Sequence, residues 1–348
     1  MSRVDLVLSE LHERDATSTH ARFVRDLLVE DGHDVRFVAE RSTIDGESFV
    51  HLDRWNADAD LTVLQHSIGS VAASEIAKRR IPVVVNYHNI TPLEFVEPWE
   101  PRQVEGLRWG RQQLWELRPV AVGAICDSDY NARELRDIGF RNVAVSPVLF
   151  DPLRGDAVEP APFGGVTMLF VGRLSPNKCQ HDLVAALAAL RARGVPARLV
   201  LVGGDASAQF RRALDALAQR LGVADAVIIA GSVPPAELIG WYLAADVFVS
   251  TSEHEGFCVP AVEAMGLGVP VVAYGAAAIP ETVGGAGIVL SDKSPGVIAE
   301  AVQRVASDDD VRAELIARGR GRAAELGEPS SIETMRDTLR SLLSGAAV

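Results

Sequence analysis

Short apolar runs rich in valine, isoleucine and leucine alternate with longer helical patterns along the chain. The runs form a first set over residues 5–9, 34–39, 60–65, 81–86 and 122–126 and a second set over 166–171, 197–202, 226–230, 247–250 and 269–274. Between the first two runs, residues 21–31 have a helical pattern that stops at Gly32. Strands that alternate with helices pair in parallel, so the pattern predicts two α/β units, each built on a parallel sheet.

A stretch rich in proline and glycine separates the two sets of runs. Residues 150–165 read F-D-P-L-R-G-D-A-V-E-P-A-P-F-G-G, which is typical of a linker. We therefore expect a first domain over 1–150, a linker over 151–165, a second domain over 166–329 and a last helix over 330–348. A chain of 348 residues with 48 % hydrophobic content can fill two cores.

Charge and cysteine content narrow the class of protein. The formal net charge of −13 argues against a nucleic-acid-binding protein, which gains affinity by neutralising phosphates. The three cysteines, at positions 126, 179 and 258, form no C-x-x-C pair, so we expect no disulfide framework or zinc site and a reducing cytoplasm. The first ten residues hold too short an apolar run for a signal peptide, and no stretch reaches the ~18 apolar residues of a membrane span.

The segment E-G-F-C-V-P-A-V-E is the most informative motif. It begins at Glu255, ends at Glu263 and has the pattern of a glycine-opened loop that runs into a helix. Backbone N–H groups at such a helix start suit a diphosphate, and a carboxylate on each side could accept hydrogen bonds from sugar hydroxyls, with Glu263 about two turns inside the helix. The alternative is an ordinary Glu-Gly turn followed by a solvated helix residue.

A second strand–turn–helix segment, V-G-R-L-S-P-N-K, follows the apolar run that ends at Val171. Its turn holds Arg173 and Lys178, and a helical pattern begins at Gln180. A guanidinium and an ammonium together could bind the oxygens of a diphosphate. Taken singly, each is more often a solvated surface residue, and the combination of the two motifs favours the anion-binding interpretation.

With these motifs, the chain resembles the family-4 retaining glycosyltransferases. Glu255 and Glu263 fall on that family's paired-glutamate motif, Arg173 and Lys178 fall on its phosphate-binding pair, and residues 245–257 resemble its approach strand. The segment N-Y-H-N-I-T-P over 86–92 is similar to the one that carries the family's active-site histidine, here His88. The run that starts at D-S-D over 127–129 resembles its serine-and-asparagine helix start.

The resemblance implies a GT-B fold, in which two Rossmann-like parallel-sheet domains face each other across a cleft and the final helix crosses back to the first domain. It implies a first domain on the acceptor side and a second that binds the nucleotide sugar. The catalytic residues it implies are His88, Arg173, Lys178 and Glu255. The donor-binding residues it implies are Gly172, Arg173, Lys178, Val233, Glu255, Gly256, Phe257, Cys258 and Glu263.

The implied roles follow the charge that develops as the sugar–phosphate bond breaks. Arg173, Lys178 and the amides of the loop after Glu255 would stabilise the leaving diphosphate. Glu255 would hold the hydroxyls of the donor sugar and Glu263 those of the ribose, while the nucleobase would lie near Val233. Transfer would retain the anomeric configuration, through front-face attack.

The first strand-to-helix loop departs from the family pattern. Many members have a glycine pair there, whereas this chain has E-R-D-A-T-S-T-H over 13–20. The hydroxyl residues over 17–19 can cap the helix and contact a phosphate or hydroxyl. The residues expected on the acceptor side are Thr19, His20, Asn89, Arg111 and Arg118.

Neither aspartate pair is placed to hold a divalent cation. The D-A-D over 58–60 precedes a predicted strand, at its wrong end, and the D-S-D over 127–129 coincides with a helix start. We therefore expect no cofactor and metal-independent transfer.

The segment 97–119 combines aromatic and basic residues. At helical spacing, Arg111 and Arg118 project to the same side as apolar residues, and three tryptophans lie nearby. Such a helix can contact a membrane surface or pack along the cleft. We expect a cytoplasmic protein, with peripheral contact at the inner face of a membrane through 97–119 as the open alternative.

The function expected from these observations is transfer of a hexose from a UDP- or GDP-sugar to a saccharide or lipid-linked acceptor, in bacterial surface polysaccharide or glycolipid synthesis. A nicotinamide-dependent enzyme is disfavoured because no G-x-G-x-x-G follows an early strand. A sugar-nucleotide epimerase or a non-catalytic nucleotide-binding relative with the same fold stays open.

Overall fold

The computed structural model describes residues 2–12, 16–44, 46–327 and 329–346. The chain divides into two compact units. Unit 1 comprises Met1–Glu97, Pro101–Asp151 and Gly327–Val348, and unit 2 comprises Pro98–Glu100 and Pro152–Leu326.

Unit 1 contains a parallel sheet of seven strands within the described ranges, in the order β3-β2-β1-β4-β5-β6-β7. The strands are β1 Arg3–Leu11, β2 Asp34–Ser42, β3 Phe49–His51, β4 Leu61–His66, β5 Val83–Tyr87, β6 Ala121–Cys126 and β7 Val143–Val145. The helices are α1 Ala16–Glu30, α2 Val71–Arg79, α3 Leu93–Val96, α4 Pro101–Leu117, α5 Asp129–Ile138 and α13 Ser330–Ala346. The central strands are buried on both faces, as in a sheet covered by helices on each side.

The last helix, α13, packs within unit 1. Met335 and Leu339 are buried in the core that lies against α1. Asp31, just after α1, accepts hydrogen bonds from Arg336 and Arg340. Apolar packing and ion pairs therefore hold the end of the chain on α1.

Unit 2 contains a parallel sheet of six strands, counted over its described residues, in the order β10-β9-β8-β11-β12-β13. The strands are β8 Val166–Val171, β9 Ala197–Val202, β10 Val227–Gly231, β11 Val247–Ser250, β12 Val271–Tyr274 and β13 Ile288–Leu290. The helices are α6 Gln180–Ala192, α7 Ala208–Arg220, α8 Pro235–Leu243, α9 Val259–Gly266, α10 Ile279–Val283, α11 Pro295–Ser307 and α12 Asp309–Leu326. Both predicted parallel sheets are confirmed.

One sequence expectation about elements was wrong, and three short strands were not predicted. The first helix begins at Ala16, so the hydroxyl residues over 17–19 lie in its first turn and are not caps. Ser18 instead donates to the carbonyl of Glu10 and accepts from the amide of His12 at the end of β1. Residues 13–15 of the same predicted loop lie outside the described residues. Strands β3, β7 and β13 were not predicted because each has three residues, too few to show a periodic pattern.

The proline- and glycine-rich segment after Asp151 packs on unit 2. The amide of Val158 donates to the carbonyl of Ala236 in α8 at 2.9 Å. Gly240, in the same helix, lies so close that a Cβ there would overlap the carbonyl oxygen of Val158. The chain is therefore fixed on α8 at a position that admits only glycine.

None of the helices in the described part of the chain is both long and apolar enough to span a membrane.

Replacing Gly240 with alanine tests the packing of this segment. The Gly240→Ala substitution should lower the free energy of unfolding by about 1–3 kcal/mol, because the methyl group overlaps the Val158 carbonyl. Gly321→Ala in α12 is the matched control, since a Cβ there meets nothing within 4 Å and alanine favours a helix over glycine by about 0.5–1 kcal/mol. Urea unfolding measures both, and equal effects of the two substitutions would contradict the packing.

Candidate functional site

Three glycines end three neighbouring strands of unit 2. Gly172, Gly203 and Gly231 follow or end β8, β9 and β10, and all have positive φ angles, of 147°, 140° and 70°. The Gly203 amide donates to the Gly231 carbonyl, and a Cβ on Gly203 would overlap the Gly172 carbonyl. This close backbone approach needs glycine, and it sets where the loop after β8 begins.

The loop between β8 and α6 is joined to the loop between β11 and α9. The Glu253 amide donates to the Asn177 carbonyl at 2.9 Å, and the Asn177 side chain donates to the His254 carbonyl at 3.2 Å. Thr251 donates from its hydroxyl to the Cys179 carbonyl at 2.9 Å. Since β8 and β11 are adjacent strands, these bonds bring the two predicted motifs together at one edge of the sheet.

Lys178 and Glu255 form an ion pair at the junction of these loops. The Nζ–Oε2 distance is 2.6 Å, and the two side chains are 19 % and 11 % exposed. The Glu255 carbonyl accepts a hydrogen bond from the Ala278 amide, which holds the loop against the residue that precedes α10. Two predicted site residues that are 77 positions apart are thus in direct contact.

Arg173 lies in the same loop as Lys178. Its carbonyl accepts a hydrogen bond from the side chain of Gln180 at 2.9 Å. Its guanidinium is exposed and forms no ion pair within the ranges that the structure describes. The side chain is therefore available to an anion beside Lys178.

The residues Gly256, Phe257 and Cys258 lead into α9. Cys258 has a left-handed backbone with φ of 75°, and Thr282 holds the Phe257 carbonyl through its hydroxyl. Because α9 begins at Val259, Glu263 lies about one turn inside the helix, and the expected two turns were wrong. Cys258 has a left-handed backbone, so the helix starts only after it, later than the sequence pattern indicates.

Glu263 is half-buried and bound by a tyrosine. The hydroxyl of the fully buried Tyr242, in α8, lies 2.7 Å from Oε2 of Glu263 and 3.2 Å from the Pro260 carbonyl. Burial raises the pKa of Glu263, and the hydrogen bond from Tyr242 partly opposes this. Val233, expected near a nucleobase, is half-buried in the turn between β10 and α8.

In unit 1, His88 directly follows β5 and is held from both sides. Nδ1 lies 3.2 Å from Oδ2 of Asp127, and Nε2 lies 2.7 Å from Oε1 of Gln65. The two partners lie at the carboxyl ends of β6 and β4, the strands on either side of β5. Sequence analysis missed Gln65 as a partner, and the signal that could have found it is a polar residue near the end of an otherwise apolar strand.

Two further histidines lie beside this site. The His20 ring packs edge-on to His88 with centroids 5.2 Å apart, and its Nδ1 accepts from the Leu149 amide. Burial lowers the pKa of His20 well below its ordinary value, and the nearby His88 adds to the effect. Burial also lowers the pKa of His66 to about 4, so both rings are neutral near pH 7.

Several buried polar atoms around His88 have no hydrogen-bond partner among the described residues. They are His20 Nε2, Gln65 Nε2, Asn86 Oδ1, both side-chain amide atoms of Asn89, Asp127 Oδ1 and Ser146 Oγ. Asn89 also has a left-handed backbone, with φ of 59°. Such a set of donors and acceptors suits hydroxyl groups or water.

The remaining residues expected on the acceptor side form contacts within unit 1. Thr19 is half-buried in α1 and accepts from Arg22 at 3.2 Å. Arg111 pairs with Glu134 and donates to the Ile90 carbonyl, both at 2.6 Å. Arg118 donates to the Ile138 carbonyl at 3.2 Å.

The three tryptophans expected near a membrane are separated. Trp99 belongs to unit 2 and packs edge-on against Phe210 with centroids 5.1 Å apart. Trp109 and Trp115, on α4, are 37 % and 55 % exposed. Only the latter two present aromatic surface on this helix.

The aspartates of the D-A-D and D-S-D segments contact protein groups. Asp58 pairs with Arg3 and Arg36. Asp129 pairs with Arg133 and Arg136 on its own helix.

The sequence of the chain is similar to those of known glycosyltransferases. The glycosyl transferases group 1 family model matches residues 157–322, which lie in unit 2. A protein of Nocardiopsis dassonvillei named D-inositol 3-phosphate glycosyltransferase is 31 % identical over 300 residues, which cover 79 % of this chain and 69 % of that protein. A protein of the same name from Corynebacterium urealyticum is 33 % identical over 187 residues, 52 % of this chain and 44 % of that protein. The chain spans about half the length of other such relatives.

Solved structures support the fold. The crystal structure of Anabaena HepE in complex with UDP-glucose has a TM-score of 0.75 at 19 % identity, covering 99 % of this chain and 100 % of that chain. At this identity the likeness concerns the fold alone, and it agrees with the GT-B fold expected from the sequence. Together with the relative that matches across most of the sequence, these findings show that the chain belongs to the glycosyl transferases group 1 family.

Proposed function

We propose that the protein transfers a hexose from a nucleotide diphosphate sugar, UDP- or GDP-linked, to a hydroxyl of a saccharide or lipid-linked acceptor. Transfer retains the anomeric configuration and needs no metal ion, in the manner of the family-4 enzymes that the sequence resembles. The setting proposed is bacterial surface polysaccharide or glycolipid synthesis on the cytoplasmic side of the membrane.

The observation that carries this proposal is the contact of Lys178 with Glu255 beside the exposed guanidinium of Arg173. Two cations and a helix start lie at the carboxyl edge of a parallel sheet, where ligands of such sheets bind. A diphosphate that enters would draw the Lys178 ammonium from Glu255 and take a second contact from Arg173. Glu255 would then be left to accept hydrogen bonds from the hydroxyls of the donor sugar.

Glu263 is proposed to bind the ribose hydroxyls of the donor. Its carboxylate is held in a fixed rotamer by the Tyr242 hydroxyl, which leaves Oε1 available as an acceptor. The nucleobase would lie by Val233, and Gly172 would let the diphosphate approach the backbone. The amides over 256–258 would face the leaving phosphate, where negative charge grows during transfer.

The engaged aspartates support metal-independent transfer. Asp58 and Asp129 are each neutralised by two arginines, and Asp127 contacts His88. The positive charge opposite the diphosphate would come from Arg173 and Lys178 instead.

The buried polar atoms around His88 support a hydroxyl-rich ligand on unit 1. His88 and Asn89 would contact a sugar or acceptor hydroxyl, with His20 beside them. The name of the relatives adds a phosphorylated inositol to the acceptor classes to be tested. A lipid-linked acceptor would be reached through α4, where Trp109 and Trp115 are exposed.

Removal of either cation should abolish most transfer. Arg173→Ala or Lys178→Ala should each reduce kcat by about a hundredfold, near 3 kcal/mol, because leaving-group stabilisation is lost. Arg212→Ala, at an exposed position on α7, is the control and should behave as the parent protein. Release of nucleotide diphosphate with formation of a glycosylated product is the measurement, and it also distinguishes transfer from epimerisation, which would yield an isomeric sugar nucleotide. Unchanged turnover in Arg173→Ala would show the phosphate assignment to be wrong.

Chelation should leave the rate of transfer unchanged, because Arg173 and Lys178 supply the charge that a divalent cation supplies elsewhere. The test compares initial rates with and without EDTA and then with added Mg²⁺ or Mn²⁺. A strong loss on chelation that either cation restores would overturn the metal-free mechanism.

Binding of a nucleotide sugar should weaken as pH falls from neutral through the raised pKa of Glu263, because protonation removes the charged acceptor for the ribose. The pH dependence of stability has the opposite sign. A carboxyl whose pKa is raised in the folded state binds its proton more tightly there, so protonation at low pH favours the native state. Weaker binding would therefore not reflect unfolding. Calorimetry with UDP-glucose or GDP-mannose should show this pH dependence in the parent protein and lose it in Glu263→Gln. The same pH dependence in both proteins would refute the ribose assignment.

A further inference from the structure

Lys293 lies between β13 and α11, outside every motif that the sequence singled out. Its Nζ atom lies 2.8 Å from Oδ2 of Asp182 and 2.5 Å from Oε1 of Glu253, and its side chain is 22 % exposed. The two carboxylates that Lys293 contacts balance its charge. The ammonium is therefore held between two acids.

The two carboxylates belong to different segments of the candidate donor site. Asp182 lies in the first turn of α6, four residues after Lys178, and Glu253 lies two residues before Glu255. The ammonium thus bridges the first turn of α6, which follows the loop that carries Lys178, and the loop that carries Glu255. It also lies over the ring of Tyr274, at the end of β12, 5.5 Å from the ring centroid.

The surroundings of this ammonium have the composition of a metal site. Cys179 Sγ, a ring nitrogen of His181 and a carboxylate oxygen of Asp182 lie within 4.8 Å of one another. Sulfur, imidazole and carboxylate are the ligands that Zn²⁺ and Cd²⁺ prefer. The Cys179 thiol donates to the Pro176 carbonyl oxygen at 3.4 Å.

We propose that Lys293 is a positioning residue of the donor site, a resident cation that fixes the two loops by bridging Asp182 and Glu253. Its ammonium occupies the place where a thiophilic divalent cation would bind Cys179, His181 and Asp182. Removal of the ammonium uncovers that metal site and breaks the bridge between Asp182 and Glu253. The donor-binding part of this proposal rests on the proposed function, whereas the metal-binding part does not.

A cadmium titration tests whether Lys293 occupies a metal site. Thiolate coordination of Cd²⁺ gives an ultraviolet charge-transfer band and releases the thiol proton. The parent protein should show no band, Lys293→Ala should show one that saturates at one Cd²⁺ per chain, and Lys293→Ala/Cys179→Ser should show none. The buried Cys126 and Cys258 are present in all three proteins and serve as internal controls. A band in the parent protein equal to that in Lys293→Ala, or no band in either, would overturn the proposal.

Nucleotide binding tests the positioning role. Lys293→Met keeps an unbranched side chain and removes the charge, so calorimetry with UDP and GDP should show affinity reduced about tenfold or more. Lys293→Arg keeps the charge and should retain most of the affinity. Affinity in Lys293→Met equal to that of the parent protein would overturn the positioning role.

The two parts of the test separate failure of this inference from failure of the proposed function. If the parent protein binds no nucleotide or nucleotide sugar, the proposed function is wrong, and the cadmium titration still decides whether Lys293 fills the metal site. If Lys293→Ala does not fold, Cd²⁺ added during refolding should recover it when the site is as described, and failure of that recovery counts against the proposal.

Discussion

The candidate donor site depends on the hydrogen bonds that join the loop after β8 to the loop after β11. Asn177 takes part in two of them and Thr251 in the third. The acceptor in each of the three is a backbone carbonyl oxygen. Three hydrogen bonds between loops that follow adjacent strands leave little freedom to the residues around them. Lys178 and Glu255 are consequently held in contact, and the fold itself positions the charge that would face a diphosphate in the proposed site.

The junction matters for anion binding because the chain has a net charge of −13. An acidic protein repels a nucleotide diphosphate at long range, so binding requires a local concentration of positive charge. In the proposed site Lys178 and Arg173 would supply this charge, and Lys293 lies between Asp182 and Glu253. The ion pair of Lys178 with Glu255 is best understood as holding a cation in place rather than as a contribution to stability, because partly buried pairs are costly to desolvate.

Much of the fold could be predicted because long apolar strands alternate with helices in both halves of the sequence. The three-residue strands and the first turn of α1 could not, since such short segments are fixed by tertiary pairing and not by periodicity. The depth of Glu263 in α9 was misjudged because nothing in the sequence marks Cys258 as left-handed. The partners of His88 and the bridge made by Lys293 come from segments distant in the sequence, and only the order of strands in the sheets brings them together.

A crystal structure with UDP-glucose or GDP-mannose, grown with a chelator present, tests the central claim most directly. We expect a diphosphate within hydrogen-bond distance of Arg173, Lys178 and the amides that lead into α9, with Glu255 released toward the sugar and Glu263 on the ribose. A diphosphate bound elsewhere on the chain, or one held by a cation that survives chelation, would contradict it.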